Sequence, residues 1–162
     1  MISYKILLKD HYTNIKHNEN IINITISGYA KIIDGDSLII DNHEIRIKEI
    51  DAPEYFQKCF DANDQQYDCG KKSKQFLKTL TKNQIIKCRS FAKDIYKRYI
   101  ASCFLSDKDI AISMLESGWA VIYKNPSVLF KYQEIAKLNK KGMWQGKFTH
   151  PRAWRKLNHK RN

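Results

Sequence analysis

Residues 32 to 54 read IIDGDSLIIDNHEIRIKEIDAPE, two β-branched runs joined by a turn dipeptide, Asn42-His43. The runs cover residues 37–41 and 44–50, so the spacing predicts a hairpin. Upstream, Ile22, Ile24, Ile26, Gly28, Ala30 and Ile32 share one face, while Asn23, Thr25, Ser27 and Lys31 share the other. That period of two predicts a half-buried strand, long enough to bend near Gly28. In the 44–50 run Ile45 and Ile47 face inward, which turns Arg46 and Lys48 the opposite way. Three strands in meander order follow from about thirty residues.

Outward from this stretch the periodicity changes. Residues 55–68 are polar and without an apolar period. A helix is expected to begin near Gly70, with Asp68 as a cap and Phe76, Leu77 and Leu80 as its stripe. Residues 84–91 and 99–105 read as two more strands. A second helix is expected over 109–117, capped by Ser106 or Asp107 and stopped by Gly118, and a third over 128–141, ending at Gly142. Residues 1–20 form a polar arm, and the tail KFTHPRAWRKLNHKRN is expected to pack only in part. Five strands with a helix inserted after the third predict an α+β, mainly β, fold: a five-stranded OB-fold Greek-key barrel with three helices. The division is an arm at 1–20, a domain at 21–155 and a basic tail at 156–162.

A chain of 162 residues, 43% apolar, suits one domain with a real core. Its 29 Lys and Arg against 17 Asp and Glu give a formal charge of +12. Such an excess points to a polyanionic partner, nucleic acid before an acidic membrane surface. No stretch approaches the ~20 apolar residues of a membrane span, so no insertion is expected. The opening MISYKILLKDHY has too short an apolar run for a signal-peptide core. Cys59, Cys69, Cys88 and Cys103 lack paired CxxC zinc spacing. Their even count permits two disulfides in any of three connectivities, or four buried thiols in a reducing compartment.

The acids stand out in so basic a chain. Asp34 and Asp36 lie two apart at a strand end, and Asp51 and Glu54 sit just past the end of the third strand. Acids at turns commonly close loops or cap helices. Here they are joined by an outward Arg46 and a rigid turn in which Pro53 restricts Ala52 and holds its carbonyl in place. Two carboxylates beside a carbonyl make a hard-oxygen site suited to Ca²⁺ or Mg²⁺. They fall short of the about six to eight oxygens Ca²⁺ takes, which leaves positions for water or a phosphate.

With these motifs in view, the chain resembles the staphylococcal nuclease (thermonuclease) family. GYAKIIDGDSLIID (28–41), IRIKEIDAPE (45–54) and DIYKRYIASCF (94–104) carry the resemblance. DIAISMLESGWAVIY (109–123) and KGMWQGKF (141–148) extend it, so that it spans about residues 28 to 154. Its most specific part is DGD, Arg, DxPE and YxR in that order.

The resemblance implies a Ca²⁺-dependent endonuclease, with Mg²⁺ the other ion, that hydrolyses phosphodiester bonds of DNA and RNA. Asp36, Asp51 and the Ala52 carbonyl would be metal ligands, and Asp34 would support them. Glu54 would position or deprotonate water, Arg46 and Arg98 would bind the phosphate, and Tyr96 and Tyr123 would contact the nucleotide. Single strands are the favoured substrate, since an OB-type groove suits unstacked bases. A monomer is expected. The rival reading is a catalytically decayed copy that only binds nucleic acid or protein. One departure is Lys97, where the family usually has glycine; a positive φ there would strain lysine and threaten to displace Arg98. The cysteines match an exported subgroup, which favours pairing Cys59 with Cys69 and Cys88 with Cys103. Secretion or a periplasmic location is slightly favoured on the same ground. Asp36→Ala is expected to abolish ion binding and leave the fold intact.

Overall fold

The computed structural model describes residues 23–158. The predicted long first strand is present in two pieces, β1 (Ile24–Gly28) and β2 (Lys31–Ile32), bent at Tyr29-Ala30. β3 (Ser37–Ile40) and β4 (His43–Ile47) form the hairpin, with Asp41 and Asn42 at φ 46° and 64° in its turn. The predicted third strand is cut short, because Glu49 turns to φ 72° and β5 (Ile50–Asp51) leaves in a new direction. That break lifts Asp51 out of the main sheet.

Residues 55–68 are not wholly irregular: β6 (Cys59–Phe60) and β7 (Gln66–Tyr67) make a small hairpin. After it come α1 (Cys69–Thr81), β8 (Ile86–Lys93) and β9 (Tyr99–Leu105). β10 (Lys108–Asp109) folds back on β9 before α2 (Ile110–Glu116), so the α2 cap is Asp109, whose carboxylate accepts from Ala111 N at 2.8 Å, and not Ser106 or Asp107. β11 (Val121–Ile122) pairs with β5, and α3 (Phe130–Leu138) is shorter than the periodicity suggested. A 3₁₀ turn (Gly142–Gln145) leads to α4 (Pro151–Asn158), a fourth helix in the stretch expected to pack only in part. Asp68 stands at the N-cap of α1, but its side chain pairs with Lys58 and Lys71 instead of capping.

The main sheet runs β1-β8-β9-β4-β3-β2, with β4 and β9 parallel and the other neighbours antiparallel. Its first and last members are the two halves of one bent stretch, so the sheet curls on itself. This is the five-stranded OB-type barrel predicted from the sequence. Its interior is filled by Ile26, Leu38, Ile40, Ile45, Ile47, Ile86 and Ala101, against Leu77 of α1 and Met114 and Leu115 of α2. Each of the Ile, Leu and Met side chains contributes roughly 1.5–3 kcal/mol by leaving water. A smaller cluster gathers Val121, Met143, Trp119 and Trp144 around Cys59 and Cys69.

Both disulfides follow the expected pairing. Cys59–Cys69 closes a separation of 10 residues at the foot of the small hairpin, and Cys88–Cys103 one of 15, between directly opposed residues of β8 and β9. A loop of 15 residues stabilises by about 3 kcal/mol in the chain-entropy account. Among the described residues, no helix is long and apolar enough to cross a membrane.

Candidate active site

Asp34, Gly35 and Asp36 form the turn between β2 and β3, and the 51–54 turn follows β5, so sheet curvature brings two distant acid motifs together. The contact is close. Ala52 N donates to Asp36 Oδ2 at 2.7 Å, and a Cβ on Gly35 would lie 2.6 Å from Ala52 Cβ and 1.9 Å from Ser73 Oγ. Gly70 does the same for Glu54, since a side chain there would strike the Glu54 carbonyl at 1.8 Å. Two glycines therefore let α1 press the acid turns against each other.

Asp36 is 6% exposed and Asp51 fully buried, so each needs a partner. Asp36 N donates to Asp34 Oδ1 at 3.0 Å, and Ser37 Oγ to Asp36 Oδ1 at 3.0 Å. Arg46 reaches both acids from β4: Nη1 lies against Asp36 Oδ1 as an ion pair without hydrogen-bond alignment, and Nη2 donates to Asp51 Oδ1 at 3.3 Å. Burial disfavours the charged guanidinium, but Asp36 and Asp51 more than offset this and raise its pKa. Asp34 is pushed up to about 7, first by burial and then by the charge of Asp36.

Arg98 arrives from the start of β9. Its Nε donates to Asp94 Oδ2 at 2.8 Å and its Nη1 to Ser37 Oγ at 3.4 Å, while Asp94 Oδ1 accepts from Tyr96 N and Arg98 N. Asp94 thus holds the turn that aims Arg98. Lys97 does adopt the strained conformation, at φ 66°, yet Arg98 still lines the cleft. The Asp94 clamp outweighs the about 1–2 kcal/mol of left-handed strain. Lys97→Gly is therefore expected to raise stability by up to about 1 kcal/mol. Chemical denaturation checks it, and a loss of stability contradicts the strain.

The result is one cleft of about 500 Å³ in which Asp34, Asp36, Arg46, Glu54, Tyr96, Arg98 and Tyr123 all take part. Tyr123 lies 5.8 Å below the Arg46 guanidinium and Tyr96 5.6 Å from that of Arg98. Asp51 and Ala52 lie buried behind the wall. A second groove of about 590 Å³, more apolar, shares Arg46, Tyr96, Arg98 and Tyr123 and adds Ile95 and Lys124.

Among chains of known kind, the model of the staphylococcal nuclease homologue family matches residues 44–146. The chain belongs to the staphylococcal nuclease family. The matched span holds Arg46, Asp51, Glu54 and Arg98, while Asp36 precedes it and α4 follows it. The chain is 34% identical over 134 residues to the succinoglycan biosynthesis protein ExoI of Rhizobium meliloti (strain 1021), covering 80% of this chain and 70% of that protein. It is 30% identical over 136 residues to an uncharacterized endonuclease of Haemophilus influenzae, with 78% and 71% covered. With Endonuclease YhcR of Bacillus subtilis (strain 168) it shares 28% over 132 residues, 70% of this chain and 11% of that one.

Three residues of this staphylococcal nuclease homologue's cleft were absent from the sequence reading: Arg152, Arg155 and Lys156, all on α4. Arg155 is the most engaged. Its Nη1 donates to Asp51 Oδ1 at 2.9 Å and Glu54 Oε1 at 2.8 Å, and its Nη2 to Asp51 Oδ2 at 3.1 Å. Burial works against its charge, and the two acids more than restore it, so its pKa also lies above the ordinary value. Gln57 was missed too: fully buried, it accepts from Glu54 N at 3.3 Å and donates to Thr149 O at 2.7 Å. It ties the acid turn to the strand of chain that leads into α4. The signal for α4 lay in the tail, where the bases Arg152, Arg155 and Lys156 fall at i, i+3 and i+4, with Trp154 among them.

Proposed function

We propose that this chain is a divalent-cation-dependent endonuclease that hydrolyses phosphodiester bonds of DNA and RNA, with Ca²⁺ favoured and Mg²⁺ the other candidate. The observation that carries the reading is the meeting of two guanidinium groups, Arg46 and Arg98, with the acids Asp34, Asp36 and Glu54 in one cleft. Arginines facing a cleft suit an anionic group such as a phosphodiester. The endonuclease names of other relatives point the same way.

The residues fit a hard cation in kind. Among the described residues no three His, Cys, Asp or Glu side chains group closely enough to hold a metal ion by themselves. The candidate set is instead Asp36, Asp51 and the Ala52 carbonyl, completed by water or substrate oxygens. A fully buried Asp51 that gathers two guanidinium groups is a place where positive charge is required. An ion bound there would supply Lewis-acid stabilisation of the charge that grows on the phosphate.

The chain's own groups account for the remaining chemistry. Arg46 and Arg98 hold the non-bridging oxygens and strengthen their hold as negative charge builds on them. Glu54 orients a water and takes its proton as the water oxygen attacks phosphorus; one ester P–O bond breaks, and the leaving oxygen takes up a proton from solvent. Tyr96 and Tyr123, beside the more apolar groove, offer faces for unstacked bases, which favours single-stranded substrate. The two disulfides support an oxidising compartment.

Purified protein incubated with plasmid and with single-stranded DNA tests the reading. Cleavage is expected with Ca²⁺ or Mg²⁺, faster on the single strand, and none in excess chelator. Undiminished cleavage in chelator removes the ion from the mechanism. Binding without cleavage under every cation establishes the rival binding module.

A further inference from the structure

Arg155 makes three hydrogen bonds, at 2.8–3.1 Å, to three of the four carboxylate oxygens of Asp51 and Glu54. Those oxygens are the ones the proposed ion and the attacking water need. Asp51 Oδ1 already accepts from both Arg46 and Arg155, which takes up both its lone pairs, and a guanidinium held beside a divalent ion repels it, so Arg155 and the ion compete for these oxygens. We propose that Arg155 is the built-in occupant of the cation site, and that docking of α4 and loading of the ion exclude one another. This rests on the cation-dependent reading above.

The construction of α4 suits such an exchange. Of its eight residues only Pro151 is buried, and Arg155 makes its only ion pairs among the described residues. The firm anchors lie ahead of the helix, in the Gln57–Thr149 hydrogen bond and in Phe148 stacked edge-on against Trp144 at 4.9 Å. The helix can therefore leave the cleft while residues 148–149 stay in place. In the docked state Arg155 neutralises a buried carboxylate that would otherwise be paired with Arg46 alone. When the ion takes over that task, the contact that draws α4 inward is gone. Arg152, Arg155 and Lys156 then remain tethered beside the cleft, where a phosphate backbone is the natural partner for three bases.

The linkage has a definite sign. If molecules with Arg155 withdrawn are the only ones that accept the ion, apparent affinity is reduced by the fraction in that state. Removing the guanidinium removes both the competition and the repulsion, so affinity must rise. The experiment is calorimetric titration of the full chain with CaCl₂, without nucleic acid, for the unaltered protein, Arg155→Ala and Arg155→Lys. Amide hydrogen exchange of residues 152–158 is followed with and without Ca²⁺. Arg155→Ala is expected to bind at least about tenfold more tightly, with Arg155→Lys between, since it keeps the charge and loses the fork. Saturating Ca²⁺ is expected to speed exchange across α4 in the unaltered protein. Equal or weaker affinity in Arg155→Ala, or unchanged protection of α4, overturns the exchange while leaving the ion site standing. Failure of every variant to bind Ca²⁺ overturns the ion site and the exchange together. Thermal melts confirm that each variant is folded, and Arg155→Lys carries the comparison should the alanine variant not be.

Discussion

Glu54→Gln is expected to lower turnover by about 10²–10⁴-fold, the usual range for a lost acid–base group. Affinity for nucleic acid should hold or rise, because a negative charge near the phosphate disappears. The substitution is structurally mild. The Glu54 side chain is 35% exposed, so it is not a buried prop, and glutamine keeps an oxygen for Arg155 Nη1. Single-turnover cleavage alongside equilibrium binding separates the two effects. Equal cleavage by the variant removes Glu54 from the proton-transfer step. Arg46→Ala provides the contrast, for it should weaken phosphate binding and turnover together.

Asp36→Ala is expected to abolish cleavage and also to cost about 3 kcal/mol of stability. The fold is expected to persist, as for a residue at a barrel rim, but at reduced stability. Asp36 is 6% exposed, accepts from Ala52 N and Ser37 Oγ, and pairs with Arg46. Alanine would leave a buried N–H without its partner and a mostly buried guanidinium with Asp51 as its one remaining acid partner among the described residues, beside the Ile50 carbonyl. Denaturant midpoints of the variant and of Asp36→Asn, which keeps an acceptor, check the claim. Unchanged stability would mean that Asp36 serves the ion and not the packing. The two predictions together show why Glu54 is the cleaner probe of chemistry.

Much of the architecture was legible because it depends on local period. Alternating isoleucines from residue 22 to residue 47 set the faces of the first strands, and the same alternation marks β8 and β9. The inward and outward sides of Arg46 follow from its isoleucine neighbours alone. The acid and arginine motifs were also legible, because turn residues and carboxylates in a basic chain are conspicuous without coordinates. α4 escaped notice because eight residues with one buried position leave almost no apolar period to read. The break at Glu49 escaped for a different reason: a left-handed residue in a β-branched run is imposed by where the chain must go next.

By itself, then, the sequence determined the barrel's strands, the pairing expected of its cysteines through resemblance, and the set of acids and arginines that belong together. Those properties reside in residue type and spacing, which a linear reading contains. Only the tertiary structure decided what each of those groups touches. Curling of the sheet brings Asp36 against Ala52 across 16 positions, and Gln57 and Arg155 reach across 92 and 104 positions to the segments they hold. No local period encodes such contacts, because they arise where a curled sheet and a terminal helix meet in space. The cation now seated in the acid cluster is for that reason a guanidinium from the far end of the chain.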